Sequence, residues 1–205
     1  MRTPLTLTSI ALAAALASTS VAAQGFAVRA GAANVNPKSD NGTLAGAAAS
    51  IDSDTQAVFG ASYFFENGVE LAFDMPLSKF EHTVTLAGLG QVVALKHQPI
   101  SLGANWHFLG GDEGGFSPYV GLGYNWTSLS DVRGINALAG APVDVDDSNG
   151  LTATLGADFL ASDRWFVRGE ARWIDFDSEA TLAGAGIGTA NVDPWVYSLQ
   201  VGLRF

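Results

Sequence analysis

The 205-residue chain contains no cysteine, which excludes a disulfide scaffold, thiolate zinc ligation and a cysteine nucleophile. Basic residues are scarce: 10 Lys and Arg stand against 20 Asp and Glu, a formal net charge of −10. So acidic a chain lacks the basic face that phosphate contacts require, and no nucleic-acid partner is expected. Charged residues of either sign make up only 15% of the chain, and 48% is hydrophobic, too much for a disordered segment. Beyond residue 23 no stretch reaches 18 uninterrupted apolar residues, so no helix is expected to span a membrane. Glycine is abundant, 24 of 205 residues against a usual ~7%, and glycine weakens helices. A helical bundle is therefore disfavoured.

The first segment reads as an address. Met1-Arg2-Thr3-Pro4 supplies one positive charge, residues 5–17 are mainly apolar, and Ser18-Thr19-Ser20-Val21-Ala22-Ala23 is made of small residues. This is the order of a secretory signal peptide, with cleavage expected after Ala23. The apolar run is shorter than the roughly 20 residues a helical anchor needs. The expected organisation is a signal peptide over 1–23 and a single exported domain over 24–205.

Within that domain, apolar residues recur at every second position. Ile100, Leu102, Ala104, Trp106 and Phe108 alternate with Ser101, Gly103, Asn105 and His107. Trp195, Tyr197, Leu199, Val201, Leu203 and Phe205 alternate with Ser198, Gln200, Gly202 and Arg204. The same period marks strands around Val120–Trp126 and Val167–Trp173, and weaker ones at 26–35, 56–65, 68–75 and 151–160. That predicts eight strands. The connections at 66–68, 109–116 and 161–164 are short, whereas 36–55, 76–98, 130–150 and 178–193 are long. Short turns at one end and long loops at the other, with an even number of antiparallel strands, describe a transmembrane β-barrel. In lipid every backbone polar group must be bonded, which a closed sheet achieves. The expected fold is thus all-β, an eight-stranded antiparallel barrel in a bacterial outer membrane, with lipid and lipopolysaccharide as surroundings.

Aromatic residues fit two interfacial girdles. Tyr63, Phe65, Trp106, Phe108, Trp165 and Phe205 fall at the short-turn rim, and Trp126, Trp173, Trp195 and Tyr197 towards the long-loop rim. The alternating strand that ends in Phe205 resembles the signal read by the barrel assembly machinery, an expected partner.

Several segments resemble the outer membrane protein W family, which includes AlkL-type hydrocarbon importers. They are Val28-Arg29-Ala30-Gly31-Ala32-Ala33-Asn34-Val35, Gly68-Val69-Glu70-Leu71 and Pro118-Tyr119-Val120-Gly121-Leu122-Gly123. Arg172-Trp173-Ile174-Asp175 and Asp193-Pro194-Trp195-Val196-Tyr197-Ser198 follow in family order, and Lys96-His97-Gln98-Pro99 is similar to the family's His-Leu-Pro-Pro stretch. The resemblance implies a barrel with an apolar passage that admits small hydrophobic molecules and releases them sideways into the bilayer.

An eight-stranded barrel is just wide enough for its own side chains, so a broad aqueous pore is disfavoured. Strand direction places inward-facing Arg29, Glu70, Asp158, Arg168, Glu170 and Arg204 in the periplasmic half, with Asp74 and Arg172 somewhat higher. Unpaired charge in so narrow a space is costly, and a mutual network plugging the lower barrel is expected. Nearer the outer mouth the inward residues are apolar: Val58, Leu129, Ile174, Phe176 and Val196, beside Thr127 and Thr152. They suit either an apolar passage or simple packing of the outer loops; the resemblance favours the passage.

Enzymatic barrels exist, so the histidines need weighing. His107 faces inward near the periplasmic rim, with no serine in elbow-type surroundings nearby in sequence, and His82 and His97 lie in the long second outer loop. No catalytic residue is expected. Asp144, Asp146, Asp147 and Asn149 form an acidic loop tip that resembles a calcium loop only loosely, its glycine misplaced and no glutamate closing a twelve-residue frame. Neither a metal nor another cofactor is expected. Gly184-Ala185-Gly186-Ile187-Gly188 has no strand–helix context for a dinucleotide, and the Asn125-Trp126-Thr127 sequon lies inside a membrane strand. The function expected is passive uptake of small hydrophobic solutes; the alternative is a recognition barrel whose loops bind surface partners, phage or bacteriocins.

Overall fold

The computed structural model describes residues 25–109 and 115–205; the expected signal peptide and its cleavage site lie outside the described residues. The strands are β1 (Phe26–Asn36), β2 (Thr43–Leu44), β3 (Ala47–Ile51), β4 (Asp54–Phe64), β5 (Val69–Pro76), β6 (Phe80–Leu86) and β7 (Gly90–His107). They continue with β8 (Phe116–Gly134), β9 (Val143–Val145), β10 (Ser148–Leu160), β11 (Trp165–Ile174), β12 (Asp177–Leu182), β13 (Ala185–Asn191) and β14 (Trp195–Arg204).

Eight of these close into an antiparallel barrel in the order β7-β5-β4-β1-β14-β11-β10-β8, with β8 returning to β7. Closure through β1 and β14 runs from Ala27↔Arg204 to Asn36↔Trp195. The alternation read from the sequence becomes two faces. Leu102, Leu122, Leu151, Leu155, Leu199 and Val201 are exposed on the outside, as a lipid-facing band must be, while Ser101, Asn105, Asn125, Thr127 and Gln200 are buried inside. Tyr63, Phe65, Trp106, Phe108, Phe116, Phe159, Trp165 and Phe205 ring the lower edge of the band, and Trp126, Trp195 and Tyr197 its upper edge, all exposed. Trp173 is only half-buried where it pairs with Trp195.

The interior is tight. A Cβ at Gly156 would overlap the Tyr119 ring and approach the Gly169 carbonyl oxygen to 2.9 Å. A Cβ at Gly202 would overlap the Phe166 ring. Part of the glycine excess is therefore a requirement of filling a narrow tube with large side chains on the neighbouring strands.

The outer segments differ from the loops expected at 36–55, 76–98, 130–150 and 178–193. Strand β7 has 18 residues and β8 has 19, well beyond the 9–11 that cross a bilayer. Their upper halves, with β6, β3 and β2, carry the wall above the membrane, and β9, β12 and β13 form a second small sheet there. The physical reason is again period two: Phe80, His82, Val84 and Leu86 point inward while Glu81 faces water. Val92 and Val93 are both buried because a bulge opposite Val84/Thr85 inserts an extra residue. The apolar core consequently sits above the membrane, where Leu44, Val84, Leu86, Val92, Leu95 and Ala180 pack together.

One seam of the wall is interrupted. Pairing of β5 with β7 ends at Asp74↔Ser101, and pairing of β6 with β7 begins at Phe80↔His97. Between them Pro76 stays with β4, opposite Val58, and Leu77 N–H donates to the Ala57 carbonyl at 2.8 Å. Across the seam Pro99 has no N–H to offer.

Candidate functional site

The lumen is divided by height into a charged floor and an apolar upper part. Every charged residue expected to face inward enters the floor. Arg168 grips two carboxylates: Nε and Nη2 donate to Asp158 at 2.6 and 2.8 Å, and Nη1 and Nη2 donate to Glu70 at 2.8 and 3.1 Å. Arg29 donates to Glu70 at 3.1 Å and to Asp74 at 2.8 Å. Arg172 links Asp74 to Glu170, both at 2.7 Å, and Arg204 lies 3.8 Å from Asp158. Arg29, Glu70, Asp158 and Arg168 are fully buried. Asn105, Ser62, Gln200 and the Tyr119 hydroxyl bond to the same groups, as groups removed from water require. Rings complete the packing, with the Arg168 guanidinium 4.6 Å from the Tyr119 centroid and that of Arg204 4.7 Å from Phe64.

His107 joins this floor. Its Nε2 lies 3.1 Å from Glu70 and its Nδ1 2.8 Å from the Ser117 hydroxyl, a neighbour hidden by ten residues of sequence. The order serine, histidine, carboxylate is that of a nucleophile, base and orienting group. Here Glu70 is already held by two arginines, Ser117 is only 1% exposed, and neither pocket described below reaches Ser117 or His107. The three side chains serve to satisfy one another's buried polar atoms.

Directly above the floor lies a pocket holding about 440 Å³ of space, part of it open to solvent. Asp74, Glu170 and Arg172 form its base, and Val35, Val58, Phe80, Ile174 and Val196 its walls; Met75, Pro76 and Pro99 from the interrupted seam also line it. Above it, between the outer hairpins, is a second pocket holding about 810 Å³ of space, part of it open to solvent, almost wholly apolar and lined among others by Leu44, Leu95, Leu129, Phe176 and Val192. Val35 borders both. Of the five apolar residues expected in the upper lumen, Val58, Ile174 and Val196 thus line the lower pocket, and Leu129 and Phe176 the upper one. Phe176 lies in the connection between β11 and β12 rather than on a strand. Val196 packs against both the cluster that contains Val58 and the cluster that contains Ile174, joining the two groups.

Sequence reading missed Val35, Phe80, Leu95 and the two outer histidines as residues that line these pockets. The signal was the alternation along 80–86, obscured by treating 76–98 as a loop. His82 and His97 stack with ring centroids 4.8 Å apart and planes 17° apart, and Phe80 lies 5.2 Å from His97. Both lie above the Ile100–Trp126 level of the upper girdle, outside the membrane-spanning segments. Burial pushes the His97 imidazole down to about 3, with His82 adding to the effect, and burial also lowers His82. Both rings are therefore neutral near pH 7. The acidic tip disperses: Asp147 accepts from Leu129 N–H at 2.6 Å and Asn149 from the Tyr124 hydroxyl. Among the described residues no group of three or more metal-ligating side chains occurs.

A closed eight-stranded barrel with an apolar belt, two aromatic girdles and a polar interior is a bacterial outer-membrane β-barrel, in contact with lipid and lipopolysaccharide. A sequence profile of the OmpW family matches residues 22–205. Outer membrane protein W of Vibrio cholerae serotype O1 is 31% identical over 216 residues, covering 98% of this chain and 99% of that protein. The crystal structure of OprG from Pseudomonas aeruginosa superposes with a TM-score of 0.76 at 29% identity, covering 88% of this chain and 96% of that one. The solution structure of Escherichia coli outer membrane protein W gives a TM-score of 0.63 at 28% identity, covering 89% and 98%. The chain belongs to the OmpW family.

Proposed function

We propose that this barrel is a passive channel for small hydrophobic molecules, which enter the outer pocket, descend to the lower one and leave sideways into the bilayer. The observation that carries the reading is the asymmetry of the lumen: two adjoining apolar pockets end on a buried ionic floor. An apolar solute gains by leaving water for such pockets, at ~25 cal/mol per Å² of apolar surface buried. Crossing the floor would instead require displacing paired, buried charges. The unpaired seam at Pro76 and Pro99 supports the lateral exit, because it borders the lower pocket where the β5–β7 ladder has stopped. By the same reading the charged floor acts as a plug. Strand β14, tied to β1 by the Phe205 N–H donating to the Phe26 carbonyl at 2.9 Å, is the segment offered to the assembly machinery.

The test is uptake of a medium-chain alkane into proteoliposomes. Ile174→Arg, which puts a cation into the lower pocket, is expected to reduce the rate at least tenfold while the barrel stays folded. Undiminished uptake by a folded Ile174→Arg barrel would sink the channel reading and leave surface recognition in its place.

A further inference from the structure

The arginines of the floor are not equally closed off. The side chains of Arg29 and Arg168 are 0% exposed, whereas that of Arg172 keeps 11% of its surface open and lines the base of the lower pocket. Arg172 meets both of its carboxylates with one nitrogen, Nη2, 2.7 Å from Asp74 and from Glu170. Its Nε and Nη1 make no hydrogen bond to any described residue, and neither atom is shut away from open space. A guanidinium carries five N–H donors, so three of them face the pocket without a protein acceptor. Ser198 adds a fourth. It faces inward between Tyr197 and Leu199, half-buried, stands opposite Glu170 in the β11–β14 register and lines the same pocket. Its oxygen accepts from Gln200 Nε2 at 3.4 Å, while its hydrogen donates to no described residue. The acceptors, by contrast, are engaged. Asp74 takes hydrogens from Arg29 and Arg172, and Glu170 is met by Arg172 and the Tyr119 hydroxyl. The lower pocket thus has apolar walls and a base that offers donors in excess of acceptors.

We propose that Arg172, assisted by Ser198, is the specificity-determining donor of the lower pocket, and that the preferred solute is an apolar chain bearing one neutral carbonyl, a medium-chain ketone or ester. This rests on the uptake reading above and names the substrate class within it. The chain lies against Val58, Ile174 and Val196, and the carbonyl oxygen accepts from the open side of the guanidinium. Apolar pockets with a few convergent polar groups select ligands in this way. An alkane that fills the pocket expels water from these donors and offers no acceptor in return. An anionic head would stand beside Asp74 and Glu170, which already share Arg172, and would lose its hydration on entry.

The experiment uses the full barrel at pH 7, with 2-decanone, decane and 1-decanesulfonate as probes. In lipid nanodiscs with ¹⁵N-arginine, 2-decanone is expected to move the guanidinium N–H resonances of Arg172 downfield, as donation to an oxygen does. Decane and 1-decanesulfonate should leave them in place, and the enclosed Arg29 and Arg168 serve as internal references. In proteoliposomes, Arg172→Met combined with Glu170→Gln is expected to lower the ketone-to-alkane uptake ratio about tenfold, the worth of one hydrogen bond to a charged donor. The second substitution removes the carboxylate that the first would strand. Ser198→Ala, which leaves every ion pair in place, should lower the ratio about threefold, the worth of a neutral hydrogen bond. Arg172 resonances unmoved by 2-decanone, or moved equally by decane, overturn the proposal whether or not the variants fold. A ratio unchanged in either variant that folds overturns it too. If the native barrel takes up neither solute, the channel reading fails, and the Arg172 resonances alone decide whether the pocket binds a carbonyl.

Discussion

Arg168→Met should be among the most damaging single substitutions in the barrel. The guanidinium is fully buried and makes four hydrogen bonds, two to Asp158 and two to Glu70, between 2.6 and 3.1 Å. Without it Glu70 retains Arg29 at 3.1 Å and Asn105 at 2.9 Å, but Asp158 is left with the more distant Arg204 at 3.8 Å. Removing one member of a buried ion pair typically costs ~3–5 kcal/mol, because the surviving charge stays out of water. At 1.4 kcal/mol per factor of ten, that is a loss of roughly two to four decades in the folding equilibrium. The assay is reversible urea unfolding in phospholipid vesicles, followed by tryptophan fluorescence. The double variant Arg168→Met with Asp158→Asn is expected to recover about half the loss, since it also removes the stranded carboxylate; such non-additivity marks directly coupled groups. A cost below about 1 kcal/mol for Arg168→Met, the value of a solvated surface pair, would refute a dry floor and with it the plug.

Other consequences can be checked separately. Gly156→Ala should lose ~1–3 kcal/mol in the same unfolding assay, because the new methyl overlaps the Tyr119 ring and the Gly169 carbonyl oxygen stands 2.9 Å away; a neutral result would mean that the lower lumen has slack. The buried outer histidines make the outer hairpins acid-sensitive. With His97 held at about 3 in the fold against ~6.5 unfolded, its stabilisation is complete above pH 6.5 and is lost as pH falls towards 3. The slope approaches ~1.4 kcal/mol per pH unit, so amide protection in β6, corrected for intrinsic exchange, should fall between pH 6.5 and 5, and His97→Phe should flatten the dependence. Finally, a chain without cysteine accepts an engineered pair cleanly. Pro76→Cys with Pro99→Cys, bridged by a short bis-thiol reagent, should block alkane uptake reversibly, and uptake that persists across the bridge would move the exit elsewhere.

The parity of the strands was legible because a β-strand alternates its faces by local geometry alone. Once Leu102, Trp106, Leu199 and Val201 are assigned to lipid, Asn105, His107, Gln200 and Arg204 must face inward; the first three are buried there and Arg204 reaches the buried Asp158. Direction along the chain then gives approximate height, which is why the sequence alone separates the charges from the apolar residues. The outer segments were less legible. Connections rich in Gly, Ser and Asp carry weak β signals, and the Val92–Val93 bulge breaks the period at the point where β7 could have been traced upward.

Sequence by itself determined the class of the protein: eight lipid-facing stripes, aromatic girdles, four arginines and four carboxylates turned inward, and an apolar set above them. These follow from rules that act over two to ten residues. Tertiary structure alone decided who meets whom. Arg168 reaches Glu70 across 98 residues only because the barrel closes. His107 finds Ser117 because β7 pairs with β8, and the rings of His82 and His97 stack because the β6–β7 register sets them side by side. Closure also brought the floor charges into one network and left the seam between Pro76 and Pro99 unpaired. The physical reason is that pairing partners in a sheet are chosen by the register and circumference of the whole barrel, which no local stretch of the chain encodes.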